Sequence, residues 1–383
     1  MENQTGMEFS EERISLRKVF DKKTLLLLGF AAFVLFMYFI LEDINIFDIV
    51  DTFISANLIL LVIGASFAFI AVLLDTFTWK LLLSISSIRP STLATYRIQL
   101  SSFAYGLLIP SAGAVEAIMR VIMGTQEFVN EDENRNATAG EILSSVVVHK
   151  LLGLLAFIPI SVFIAFSMFD YISEILVQLN YDPLPRDFNL VFILLISIMA
   201  LLIIALFVLI AVNPSKAKGF LSSLLLGLGR FPLIGKHTIN AAKSSDKVVD
   251  DFSVQFAYLA RNKAISVVAL GLSFLSQVAH WVSILFILLS ISIPISLDQV
   301  AAVNFLGGTV DLIPLGIPGM AGLKEITLSV FIEVGLGIST DIALSGAILV
   351  QLIKFYLLII VGLVVYVIGK TRVTTQNIPS DPK

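Results

Sequence analysis

The chain has 383 residues, of which 57% are hydrophobic and 14% charged, with a mean hydropathy of +0.95 and a formal net charge of −4. A soluble domain carries about 25% charged residues, so the composition excludes a soluble enzyme and gives no basic excess for a nucleic-acid partner; it describes an integral membrane protein. The absence of cysteine excludes a disulfide scaffold, thiol catalysis and thiolate metal sites.

The first 23 residues are polar and mixed in charge, with no small-residue cleavage site after the first apolar run. They read as a cytoplasmic N-terminal segment, 1–23, followed by a retained span at 24–41. A second span is expected at 58–79. The stretch 92–124 is poorer: Arg97, Gln99, Ser101 and Ser102 precede a break at Pro110 and Gly113, and Glu116 and Arg120 follow it. Two short helices around a turn are expected there, because non-helical backbone survives at membrane depth only beside protein or water. Further spans are expected at 142–169, 188–212, 264–291 and 342–369. A connection at 213–263 separates the fourth span from the fifth, and a second broken region, 299–335, separates the fifth from the sixth. That region carries Asn304, Asp311, Pro314, Pro318, Gly319, Gly322, Lys324 and Glu325. The tail 371–383 is polar and is expected to be disordered.

Basic residues orient this pattern. Arg13, Arg17, Lys18, Lys22 and Lys23 precede the first span, eight lysines and arginines lie in 213–263, and Lys370 and Arg372 follow the last span. The positive-inside rule then puts both termini and the long connection in the cytoplasm. This holds only if each broken region returns to the side from which it entered.

The two broken regions share a polar signature at one offset, since Gly113 and Gly322 are 209 apart (322 − 113) and so are Glu116 and Glu325 (325 − 116). The expected architecture is therefore an all-α polytopic membrane protein. It would be an inverted repeat of two halves, with six full spans plus two re-entrant helical hairpins, in a transmembrane domain of 24–370. The first repeat covers about 24–170 and the second about 188–370.

Ionisable groups inside the membrane are the candidate site. Glu116 and Arg120 stand at i, i+4 on one helix face. They form either a structural ion pair or a phosphate-binding arginine steadied by a carboxylate. Lys324 and Glu325 open the second arm of the other hairpin, where Glu325 either caps its helix or faces a ligand. Lys150 either snorkels to an interface or joins the site. Lys354 lies deeper and is expected to partner Glu325 or Asp311. Pro110, Gly113, Pro318, Gly319 and Gly322 are turn formers. Asp75 reads as an interfacial salt-bridge residue, with a proton site as the alternative, and His280 as a packing histidine, with a proton relay as the alternative. No metal or cofactor is expected: the three histidines lack ligand spacing, and no nucleotide or catalytic fingerprint is present.

The motifs Pro110-x-x-Gly113-x-x-Glu116-x-x-x-Arg120 and Pro318-Gly319-x-x-Gly322-x-x-Glu325, with Trp79-Lys80-Leu-Leu-Leu before the first, resemble a known family. It is the transmembrane region of lysylphosphatidylglycerol synthases and their stand-alone flippase-like relatives. The resemblance covers about 20–370 and implies movement of a phospholipid or lipid-linked substrate between leaflets. It implies a multi-pass protein of the plasma membrane without a synthase domain. The chain departs from the family pattern at His149-Lys150, where an acidic–basic pair is common, and at Lys354, where arginine is common. The leading expectation is a non-enzymatic flippase or scramblase. An intramembrane transferase acting on a polyprenyl-linked or phospholipid substrate is the alternative, a non-transporting subunit a third reading, and a homodimer is left open.

Overall fold

The computed structural model describes residues 46–108, 114–132, 134–167, 261–310 and 323–376, with isolated residues between 173 and 259. The expected span at 24–41, that at 188–212 apart from four isolated helical residues, Asp311, and the turn residues Pro110, Gly113, Pro318, Gly319 and Gly322 lie outside the described residues. Among the described residues, four helices are long and apolar enough to cross a membrane: Leu58–Ile85, Ala139–Ala156, Lys263–Ser290 and Thr340–Ile368. They coincide with the second, third, fifth and sixth expected spans.

The elements are α1 (Ile46–Ile54), α2 (Leu58–Ile85), α3 (Thr92–Leu108), α4 (Ala114–Glu127), a ribbon of β1 (Val129–Asn130) and β2 (Arg135–Asn136), and α5 (Ala139–Ser167). After the connection come α6 (Lys263–Ser290), α7 (Leu297–Val310), α8 (Leu323–Leu336), α9 (Thr340–Gln351), a π-helical turn (Leu352–Leu357) and α10 (Leu358–Gln376). The last helix thus runs past the boundary expected at 370.

The frame is the antiparallel pair α2–α6. Its register is set at one end by the Asn57 amide donating to the Ser290 carbonyl at 2.7 Å. Near the middle, Ser276 Oγ donates to the Ala71 carbonyl at 3.1 Å. Small residues let the two backbones close in, as between membrane helices generally. A Cβ on Gly64 would lie 2.8 Å from Ile287 and 3.0 Å from the Ser283 carbonyl. The outward residues Ile59, Val62, Val267 and Phe274 are exposed and apolar, as lipid-facing positions require.

Helices α3 and α4 fold back on each other. Arg97 near the start of α3 pairs with Glu127 at the end of α4, Ile88 bridges Asn130, and the Glu131 amide donates to the Ser87 carbonyl at 3.0 Å. At the far end Gly106 leaves room for Glu116, whose Cβ would be 2.8 Å from a Cβ there. At 1.5 Å per residue the described parts of the arms run about 25 and 21 Å. Below the hairpin, Thr138 and Glu141 form a capping box on α5: the Thr138 amide donates to Glu141 Oε2 at 2.8 Å and the Glu141 amide to Thr138 Oγ1 at 3.3 Å. Gln255, from the connection, is buried there and donates to Ser86 Oγ and Ser144 Oγ at 3.0 Å each.

The element series repeats in length and spacing. Helices α2 and α6 both have 28 residues and start 205 apart (263 − 58). Both end in the same turn: Ser87 and Ser292 have φ of 58° and 63°, and the amides of Ile88 and Ile293 return to the carbonyls of Leu83 and Leu288 at 3.1 Å. Helices α4 and α8 both have 14 residues and start 209 apart (323 − 114).

Glycine at 362 is required by the α3–α10 contact, because a Cβ there would stand 2.5 Å from the Leu100 carbonyl oxygen. Gly362→Ala is expected to cost about 1–3 kcal/mol of stability through overpacking against backbone. Gly271→Ala, where a Cβ meets nothing within 4 Å, should be neutral or stabilising by up to ~1 kcal/mol. Thermal unfolding of the two variants in detergent distinguishes them.

Candidate polar site within the helices

The first turn of α4 carries Glu116, where the positive end of the helix dipole favours a carboxylate. Glu116 and Arg120 are both buried and paired across one helical turn. Lys150 from α5 donates to the other carboxylate oxygen of Glu116 at 2.7 Å. The structure therefore brings three of the expected residues together, and Lys150 joins the site rather than snorkelling away from it. Their exposures differ sharply: the Lys150 side chain is 49% exposed, that of Arg120 2%.

Arg120 is held on two further sides. Its Nη1 lies 3.0 Å from Nδ1 of His149. Its guanidinium carbon sits 5.2 Å from the ring centroid of Trp79, within cation–π range. Trp79 is fixed in turn by donating Nε1–H to Ser145 Oγ at 2.9 Å. The remaining Arg120 Nε is buried with no hydrogen-bond partner.

His149 continues the network. Its Nε2 faces Asp75 Oδ1 of α2 at 3.7 Å, ion-pair range but too long for a hydrogen bond. Asp75 is thus engaged by α5 within the helix pack, whereas an interfacial salt bridge was expected. Asp75 and His280 of α6 act electrostatically on one another, and Lys354 acts on His280. Among the described residues His280 Nδ1 is buried without a hydrogen-bond partner.

Lys324 and Glu325 form a second cluster. Both are buried in the first turn of α8. Lys324 Nζ lies 4.1 Å from the Phe355 ring centroid, and Glu325 Oε1 accepts from Tyr356 O–H at 3.2 Å. Phe355, Tyr356 and Lys354 all belong to the π-helical turn, whose wider winding rotates side chains off the regular helical stripe. Glu325 therefore bonds across to the last span, beyond any role in capping its own helix.

Reasoning from the sequence missed His149, Asp75, Trp79, Phe355 and Tyr356 as partners. A signal existed for two of them: Asp75 and Trp79 are i, i+4 on one helix, and neither residue type is cheap to bury without a partner. The π turn left no such trace.

Against known proteins, no curated protein matches the chain. The family model for the lysylphosphatidylglycerol synthase transmembrane region matches residues 26–362, which include every described helix up to the first turn of α10. With a helical structure, four apolar spans and both motifs inside that match, this membrane protein belongs to the lysylphosphatidylglycerol synthase transmembrane-region family.

Proposed function

We propose that the protein moves an anionic or zwitterionic phospholipid, or a lipid-linked headgroup, between leaflets of the plasma membrane without chemical change. The observation that carries this reading is the Glu116–Lys150 pair. A buried carboxylate is tied at 2.7 Å to a half-exposed ammonium, on a helical hairpin whose two ends meet at one place. An ammonium at membrane depth with open surface faces a cavity rather than hydrocarbon. It supplies a point charge for a lipid phosphate, while the acyl chains stay in the bilayer. Arg120 backs the site from inside, its terminal nitrogens committed to Glu116 and His149.

In this reading the chain is an inverted repeat with six spans, two re-entrant hairpins and cytoplasmic termini. Its support is the matched pair α2–α6. Ala71 and Ser276 stand 205 apart (276 − 71), the same offset as the helix starts, and they touch. Residues holding the same place in two halves meet when a twofold axis passes between them. Asp75 and His280 share that offset (280 − 75) and flank the crossing. The electrostatic chain from Arg120 through His149, Asp75 and His280 to Lys354 then joins the two half-sites around one cavity.

Purified protein in vesicles carrying a trace of NBD-phosphatidylglycerol should move the label with no added donor. Lys150→Gln should slow it at least tenfold, about 1.4 kcal/mol in barrier height. A new covalent lipid product without label movement would support the transferase reading instead.

Swapping the pair, as Glu116→Arg with Arg120→Glu, preserves an ion pair but strands His149 and Trp79. It should therefore not restore transport lost in either single variant, and recovery to wild-type rate would reduce the pair to a structural brace.

In this cysteine-free chain, single cysteines at Glu131 and Asn180 should be labelled from opposite sides by an impermeant maleimide. Labelling from one side would remove the third span, the one expected crossing between them.

A further inference from the structure

The contact between Arg120 and His149 fixes where the histidine proton can be. A guanidinium has five N–H donors and no acceptor. With Arg120 Nη1 3.0 Å from Nδ1, Nδ1 must accept, so it carries no proton. The ring is then neutral, with its proton on Nε2, the nitrogen that faces the Asp75 carboxylate at 3.7 Å. A second proton can be added only at Nδ1, the position Arg120 occupies. The Arg120 contact and a histidinium at position 149 are mutually exclusive.

Resting on the lipid-moving reading above, we propose that His149 is a coupling-proton site, exchanging Arg120 for a proton at Nδ1 and so delivering the Arg120 guanidinium to an anionic headgroup. The step balances simply. A proton from water forms an N–H bond at Nδ1, the N–H···N hydrogen bond from Arg120 breaks, and the ring gains one positive charge. Nothing is oxidised or reduced. The imidazolium pairs with Asp75, already in ion-pair range. The freed guanidinium offers Nη1 together with Nε, which is buried and has no partner while Arg120 is docked.

Charge explains why proton and lipid would enter together. The groups acting on His149 are Asp75 from α2, Arg120 from α4 and Lys150 beside it on α5. Glu116 of α4 also interacts with it, and α6 contributes His280, which acts on Asp75. Asp298, the one titratable residue of α7, is not among them. With both carboxylates ionised, Glu116 and Asp75 balance Arg120 and Lys150. Protonating His149 adds one positive charge in a low-dielectric setting, and a phosphodiester monoanion cancels it. The Trp79 face that Arg120 leaves remains held by Ser145, so the guanidinium has a built place to return to.

Two measurements test this. In full-length protein with 15N-labelled histidine and arginine in phosphatidylglycerol nanodiscs, the His149 signals are those lost in His149→Gln. If that variant fails to fold, they are the ones retained in both His237→Gln and His280→Gln. At about pH 8 the Nε2–H tautomer is expected, and on acidification Nδ1 should gain its proton together with a shift of one arginine side chain. An Nδ1–H tautomer at about pH 8, or a titration that leaves every arginine side-chain signal unmoved, overturns the proposal. In vesicles of phosphatidylcholine and phosphatidylglycerol with NBD-phosphatidylglycerol, a gradient of about 2 pH units should bias the leaflet ratio severalfold. The limit for one proton per lipid is about 100-fold. The bias should vanish with a protonophore and in His149→Gln. Label movement indifferent to the gradient overturns the coupling and leaves the lipid-moving reading standing. No label movement at all overturns that reading, and the coupling with it.

Discussion

A carboxylate held at membrane depth has to be neutralised by groups that the fold itself supplies, and Glu116 imposes that demand on the whole first half. Arg120 meets part of it from the next turn of the same helix, and Lys150 meets the rest from α5. Arg120 in turn needs a face to lie against and an acceptor for its other nitrogen, which Trp79 and His149 provide. Through these contacts one negative charge sets the relative positions of α2, α4 and α5. The glycine at 106 lets α3 close on the same residue. Removing one partner from such a buried pair typically costs 3–5 kcal/mol, because the remaining charge stays buried. The cluster therefore behaves as a unit.

The second polar cluster answers its carboxylate with different chemistry. Glu325 holds the place of Glu116, 209 residues on (325 − 116), but the place of Arg120 is taken by Ser329 (329 − 120), whose buried hydroxyl has no hydrogen-bond partner. Compensation comes from beside the helix and from across it. Lys324 lies on Phe355, and Tyr356 donates to Glu325. The π-helical turn brings Phe355 and Tyr356 to α8 by adding a residue to the local winding of the last span. The two carboxylates thus differ in the groups that meet them: Arg120 and Lys150 for Glu116, the Tyr356 hydroxyl for Glu325.

Between them, α2 and α6 do the joining. Glycine, alanine and serine on the facing sides bring the backbones close enough for a serine hydroxyl to reach a carbonyl of the opposite helix. In lipid there is no hydrophobic force to press helices together, so close packing and such hydrogen bonds carry the association. The same pair carries Asp75 and His280, each four residues beyond the Ala71–Ser276 contact on its own helix.

Sequence alone determined what depends on local pattern. Runs of apolar residues fixed four of the described helices, since crossing hydrocarbon demands length and composition and little else. Glycine and proline marked the two breaks, the offset of 209 tied them together, and the spacing of Glu116 and Arg120 set them on one helix face. Lys150 had two readings from sequence, because a lone polar residue on an apolar helix looks the same whether it reaches an interface or a partner. Tertiary structure decided among those readings, as the partners come from helices separated by up to 74 positions in the first cluster (149 − 75), and no periodicity relates them. It also decided the π turn, which no residue pattern announces. Hydropathy is a property of one segment against lipid; charge pairing is a property of several segments against each other, and it exists only once they have packed.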